Sequence, residues 1–341
     1  MTDFLDSFLR QGVFLSLSER TLLVGWGRLE FTSNPPLDRV CFFAPDFFLK
    51  KSTLWICPEF VQEVSIRSFP KAGPPQVKAL SPGPQLYWKG PSRGSFDKTI
   101  LDLRKEFSNG SLQKAVPVVF ETANVVEGFH RNAFLNLLSW AGPFHLYGFW
   151  NEGEGVLGAT PEILFEAEGR FLKTMALAGT TIDGKWTEKE KKEHQMVVED
   201  IQSALSPYGE VETGGMGERD CFHFRHLKTE MLLFSKVDLF FEELISSLHP
   251  TAAVGAYPRA EGWKWLLEND PKGERGRFGA PFAALRPGRK NKAVVAIRNI
   301  QWKGNQVRLG AGCGVIAESD TEKEWQELCW KRNSVKKMMG L

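Results

Sequence analysis

Apolar and polar positions alternate in short runs over much of the chain, and the period changes from two to about three and a half in a few longer segments. Arg20–Trp26 and Arg39–Ala44 carry the strand period. So do Ala115–Phe120, Phe144–Phe149, Gly155–Thr160, Ile163–Ala167 and Phe171–Leu177, the last ending in the turn Ala178-Gly179-Thr180. Lys292–Trp302 and Asn305–Gly310 read as two strands joined by a hairpin at Lys303-Gly304. Cys221-Phe-His-Phe-Arg-His226 also alternates and reads as a strand rather than a zinc cluster, because its spacing fits no structural zinc site. The helical period appears in Phe96–Asn109, where Ile100, Leu101, Leu103 and Phe107 form a stripe. It recurs in Glu188–Leu205 and in Thr321–Met339, the last capped by Ser319 or Asp320. Pro70–Pro91, dense in proline and glycine, reads as a connector. Strands in blocks, with hairpin turns and intervening helices, predict an α+β fold with large antiparallel sheets packed with helices.

Composition narrows the function classes without choosing one. The 341 residues are 42% hydrophobic and 25% charged, as in an ordinary globular protein. A net charge of +2 supplies no basic field for nucleic acid. No run of apolar residues is long enough to span a bilayer, and the start of the chain lacks the pattern of a secretory signal. Five scattered cysteines, Cys41, Cys57, Cys221, Cys313 and Cys329, read as reduced thiols of a cytoplasmic protein. No G-x-G-x-x-G or P-loop follows a strand, so a nucleotide fold lacks support.

The candidate chemistry begins with two E-x-x-E pairs, Glu190/Glu193 and Glu324/Glu327, each within a predicted helix. Residues three apart on a helix share a face. Two such faces brought together would make an oxygen-only site suited to Mg²⁺. Taken alone, either pair is more simply a solvated helix face.

Other short motifs stand in order around these pairs: Lys114-Ala-Val-Pro-Val-Val, Gly158-Ala-Thr-Pro-Glu162, Leu177-Ala-Gly-Thr180, Glu193-His194, His249-Pro-Thr-Ala-Ala-Val-Gly255, Arg275-Gly-x-Phe278, Ala296-Ile-Arg298, Gly310-Ala-Gly312 and Glu324-Trp-x-Glu327-x-x-x-Lys331. In this order the chain resembles the chorismate-utilising enzymes, the group that includes isochorismate, salicylate, anthranilate and aminodeoxychorismate synthases. Residues 113–340 carry the resemblance in detail and residues 1–95 only weakly. It implies a single chorismate-binding domain over 1–341, with 1–95 completing the sheet and 96–341 forming the catalytic part.

The resemblance also implies roles. Glu193 and Glu327 would hold Mg²⁺ with Glu190 and Glu324 in support. Arg298 would clamp a substrate carboxylate, as a guanidinium can do with two parallel hydrogen bonds. Ala178, Gly179, Thr180, His249, Phe278, Gly312 and Lys331 would line the substrate site. Lys114 would take a proton from water and Glu162 would protonate the departing hydroxyl, roles that require shifted pKa values. Lys114 stands where anthranilate synthases carry glutamine, and Ala178 where aminodeoxychorismate synthases carry a nucleophilic lysine. Water is therefore the expected nucleophile, with no obligatory amidotransferase subunit. The resulting expectation is Mg²⁺-dependent conversion of chorismate to isochorismate, feeding menaquinone or siderophore synthesis, with the menaquinone-type enzymes as the nearest comparison. Salicylate synthesis, with added loss of pyruvate, and a non-catalytic chorismate-binding protein remain the alternatives. Cys313 and Phe278 depart from the alanine and tyrosine usual in the family.

Overall fold

The computed structural model describes residues 2–50, 54–69, 86–142, 144–221, 224–270 and 272–341. Most of the predicted Pro70–Pro91 connector lies outside them, as do two residues within the Cys221–His226 motif.

Sixteen of the described strands form one antiparallel sheet. From one edge the order is Gly209–Thr213, Phe224–Ser235, Phe171–Thr181, Ile163–Glu168, Asn291–Val295, Pro281–Leu285, Cys41–Phe43, Trp55–Ser65, Thr21–Thr32, Gly12–Ser16, His145–Trp150, Glu154–Thr160, Asn299–Lys303, Gln306–Gly312 and Val118–Asn124. Gly217–Cys221 also pairs with Phe224–Ser235. The N-terminal strands occupy the middle of this order, so they join its two arms. A second, three-stranded sheet sets Lys114–Ala115 between Ala256–Tyr257 and Val315–Ile316. Seven described helices accompany the strands: α1 (Thr2–Arg10), α2 (Arg93–Ser108), α3 (Phe129–Leu138), α4 (Glu188–Leu205), α5 (Phe241–Leu248), α6 (Arg259–Asn269) and α7 (Thr321–Met339). None is long and apolar enough to cross a membrane.

Apolar burial explains the layers. One core cluster joins α2, α4 and α5 to the arm of the sheet around Phe165, Leu172 and Met231. A second, rich in aromatic rings such as Phe8, Phe14, Phe134 and Trp150, lies beneath α1, α3 and the end of α7. Helix α2 starts earlier than its apolar pattern suggested, because Ser92 accepts a hydrogen bond from the Ser95 amide and caps it. Its inner stripe is Phe96, Ile100 and Leu103, and Leu101 faces outward.

Three further expectations are corrected. Ala115–Phe120 is not one strand: Lys114–Ala115 belongs to the small sheet and Val118–Asn124 to the edge of the large one, divided near Pro117, which cannot donate to a ladder. Lys292–Trp302 is likewise two strands. Asn291–Val295 pairs with Ile163–Glu168, Asn299–Lys303 pairs with Glu154–Thr160, and Arg298 between them adopts φ +55°. That left-handed backbone is uncommon for a side chain of this size. It is held by Asn299, whose amide donates to the Ala296 carbonyl and to the Tyr147 hydroxyl. Finally, Cys41 and Cys57 form a disulfide, placed by the strand pairing that sets Phe42 opposite Ile56. Only Cys221, Cys313 and Cys329 are free, so the five cysteines are not all the reduced thiols expected.

Candidate active site

Helices α4 and α7 carry the acidic pairs inward, and each is fixed by a local device. The Thr187–Glu190 capping box starts α4: the Glu190 carboxylate accepts the Thr187 amide at 3.0 Å. Glu190 is thus occupied at the helix end and does not line the cavity, although it was expected to support the metal. Glu193, one turn on, is buried. Helix α7 is capped by Asp320, which accepts the Lys323 amide; Ser319 instead donates to Glu324 Oε1 at 2.8 Å. Further along α7, Arg332 and Lys336 pair with Glu121 on the adjoining strand and hold the helix against the sheet.

The two helices bring Glu193, Glu324 and Glu327 to one cluster, but lysines meet them there. Lys189 Nζ lies 3.0 Å from Glu193 Oε2 and 2.8 Å from Glu324 Oε1. Lys331 Nζ lies 2.5 Å from Glu327 Oε1 and donates to the Gly312 carbonyl. Thr180 also donates to Glu327 Oε1, at 3.0 Å. Burial opposes charge on Glu193, yet Lys189 and Lys114 outweigh it and hold that carboxyl down at about 2. Glu324, buried beside two other carboxylates, is pushed up to about 7. Glu324 Oε2 is buried without a hydrogen-bond partner.

Lys114 is the most buried of these cations, with no exposure. Its ammonium donates to the Ala252 carbonyl at 2.7 Å and lies 3.4 Å from Glu193 Oε1. Ala252 is itself fixed by Asp200 of α4, which accepts its amide while pairing with Arg259. Burial drives the Lys114 pKa below that of a free lysine. Lys114 stands just behind the cavity wall formed by Glu193 and Gly314. A Cβ at Gly314 would fall 1.9 Å from Glu193 Oε1, so any side chain there would push that carboxylate aside.

The cavity itself is lined by Glu162, Ala178, Gly179, Thr180, Phe278, Arg298, Gly312, Glu193, Glu327 and Lys331. Burial raises Glu162 to about 8, against the pull of Lys114 and Lys331. Gly179, at φ +73°, forms the irregularity where Phe171–Thr181 slips register against Phe224–Ser235, and its carbonyl turns to His226. Arg298 donates to Ser334 Oγ at 3.3 Å and to His226 Nε2 at 3.2 Å, with its guanidinium over the Phe224 ring. The contacts of His226 define one tautomer: Nδ1–H donates to the Gly179 carbonyl and bare Nε2 accepts from Arg298.

His249 does not join the cavity. Its Nε2 bonds the Phe47 carbonyl at 2.7 Å and its ring packs edge-on to Phe47, so it anchors the segment that precedes Ala252. Sequence reasoning missed Lys189 and His226. The signal for Lys189 was its place four residues before Glu193 on the same helix face. Nothing local separates His226 from any other strand histidine.

The donor set fits Mg²⁺: carboxylate oxygens only, one of them buried and unpartnered, around a point where Lys189 already places a positive charge. Among the described residues, however, no three acidic, imidazole or thiol side chains converge closely enough to coordinate an ion without rearrangement.

Residues 70–340 match the family described as chorismate binding enzyme, and the chain belongs to that family. Among individual relatives, it is 30% identical over 199 residues to the salicylate biosynthesis isochorismate synthase of Pseudomonas aeruginosa, an alignment covering 54% of this chain and 42% of that protein. It is 27% identical over 201 residues to the isochorismate synthase MenF of Escherichia coli, covering 54% of this chain and 46% of MenF. These alignments span less than half of each relative. The fold extends further: the solved structure of Escherichia coli MenF superposes with a TM-score of 0.79 at 18% identity, over 96% of this chain and 88% of that one. Anthranilate synthase component I from Streptococcus pneumoniae superposes with a TM-score of 0.74 at 16% identity, over 94% and 93%.

Proposed function

We propose that the protein converts chorismate to isochorismate in the presence of Mg²⁺. The observation that carries this reading is a pair of oppositely tuned groups: Glu162 in the cavity lining, raised to about 8 and so protonated at neutral pH, and Lys114 just behind the wall, lowered by burial from the value of a free lysine. The two relatives matched by sequence are isochorismate synthases, which supports the same reaction.

In this reading the neutral Lys114 amine takes a proton from a water whose oxygen bonds to C2 of the substrate ring. The ring double bonds shift, and the C4–O bond breaks as Glu162 gives its proton to the departing hydroxyl. One water enters and one leaves, so the product is an isomer. Proton exchange with solvent returns Lys114 to the amine and Glu162 to the acid. Arg298, held by His226 and Ser334, binds one substrate carboxylate with its remaining donors. Glu193, Glu324 and Glu327 are the residues that would hold Mg²⁺, which when bound supplies positive charge to the other carboxylate.

The test is chromatography of the protein incubated with chorismate and Mg²⁺, alongside an EDTA control and a pyruvate assay. An isochorismate peak that requires the metal and comes without pyruvate supports the proposal. Salicylate with equimolar pyruvate would replace it with salicylate synthesis. Unchanged chorismate would leave a binding protein.

A further inference from the structure

Three lysines already meet the three carboxylates of the acidic cluster. Glu193, Glu324 and Glu327 face Lys114, Lys189 and Lys331, each at ion-pair distance from at least one of the three. The lysines differ in freedom. Lys114 is held on the Ala252 carbonyl, and Lys331 is tied to Gly312. Lys189 bridges the two helices by touching both Glu193 of α4 and Glu324 of α7, with a further contact to the Gly314 carbonyl at 3.2 Å. It sits in the first turn of α4, where the helix dipole disfavours a cation, so the carboxylates rather than the helix hold it there. Its side chain keeps 14% exposure, enough to leave the ammonium a route to water along its flexible stem.

We propose that Lys189 is a built-in occupant of the metal seat, which must swing out before a divalent ion can take Glu193 and Glu324 together. This rests on the Mg²⁺ reading above and adds to it a coupling. Exchanging the Lys189 ammonium for a divalent ion adds one positive charge to the cluster, and one substrate carboxylate offsets it. Metal and substrate therefore strengthen each other's binding, and by linkage the factor is the same in both directions. Without substrate the lysine wins.

The test uses Mn²⁺ as probe, counted by the electron paramagnetic resonance signal of the free ion, on the full chain with and without chorismate. The wild type is expected to bind Mn²⁺ weakly alone and at least about tenfold more tightly with chorismate. Lys189→Met is expected to bind Mn²⁺ alone at least about tenfold more tightly than the wild type, the scale on which loss of a competing buried ion pair acts. Lys189→Arg, which keeps the charge, should stay near the wild type, and Lys189→Gln serves in place of the Met variant if that one fails to fold by circular dichroism. Lys189→Met binding no more tightly than the wild type, while Glu193→Gln loses the metal, would overturn the role of Lys189 and leave the metal seat standing. No Mn²⁺ binding by any variant, with chorismate or without, would remove the metal seat and this proposal with it.

Discussion

Lys114 Nζ and Glu193 Oε1 lie 3.4 Å apart, the lysine fully buried and the glutamate at the cavity wall. The pair joins the candidate base to the candidate metal cluster. Burial pushes Lys114 toward its neutral form, while Glu193 acts in the other direction. Whatever changes the charge at Glu193 must change the readiness of Lys114 to take a proton.

Lys114→Ala is expected to lower kcat by about 10²–10⁴, the usual contribution of a positioned general base. Chorismate binding in the presence of Mg²⁺, measured by calorimetry, should change little. Near-normal turnover in this variant would remove Lys114 from the mechanism.

Glu162 predicts a stability signature independent of activity. Its pKa is about 8 in the folded protein against 4.5 for the free side chain, so the folded state binds the proton more tightly than the unfolded one. Its contribution is complete below pH 4.5 and is lost as pH rises to 8. Glu162→Gln, which cannot titrate, should therefore gain stability relative to the wild type across that window, by up to roughly 5 kcal/mol. Denaturant midpoints of both proteins between pH 5 and about 8.5 check this. A constant difference would mean that Glu162 is not held as the acid. The wild-type rate should also decline as pH passes about 8 and this group ionises.

Gly314→Ala is expected to fail at the site more than in the fold. The added methyl would meet Glu193 Oε1 at 1.9 Å and the Lys114 stem at 2.9 Å. Overpacking of this kind costs about 1–3 kcal/mol, and here it displaces the carboxylate rather than a core side chain. Full activity with an unchanged denaturation midpoint would contradict the packing described.

Arg298→Lys keeps the charge but loses the planar fork that reaches Ser334 and His226 and still offers donors to the cavity. The expected result is a KM raised about tenfold or more, with a smaller change in kcat. Steady-state kinetics with chorismate decides it, and an unchanged KM would place the substrate carboxylate elsewhere.

Much of this protein was legible in its chain because the signals are local. Period-two runs located strands such as Gly155–Thr160 and Phe171–Leu177, and helical spacing located α4 and α7, because pleat and helix set those periods residue by residue. The ordered motifs carried the family resemblance that the comparison with known proteins supports. Other decisions belonged to contacts between segments distant in sequence. Nothing near Arg298 announces that its strand must break so that its two halves can join different neighbours. Glu190 and Glu193 look equivalent in the chain, yet the capping box takes one and the cavity the other. His249 was drawn into the structural bond with Phe47, and His226 was recruited because two strands set it between Gly179 and Arg298. The carboxylates and lysines could be named from sequence, but their pairing could not. Ion pairs and desolvation depend on distance and burial, and only the packing of α4 against α7 and the small sheet supplies those.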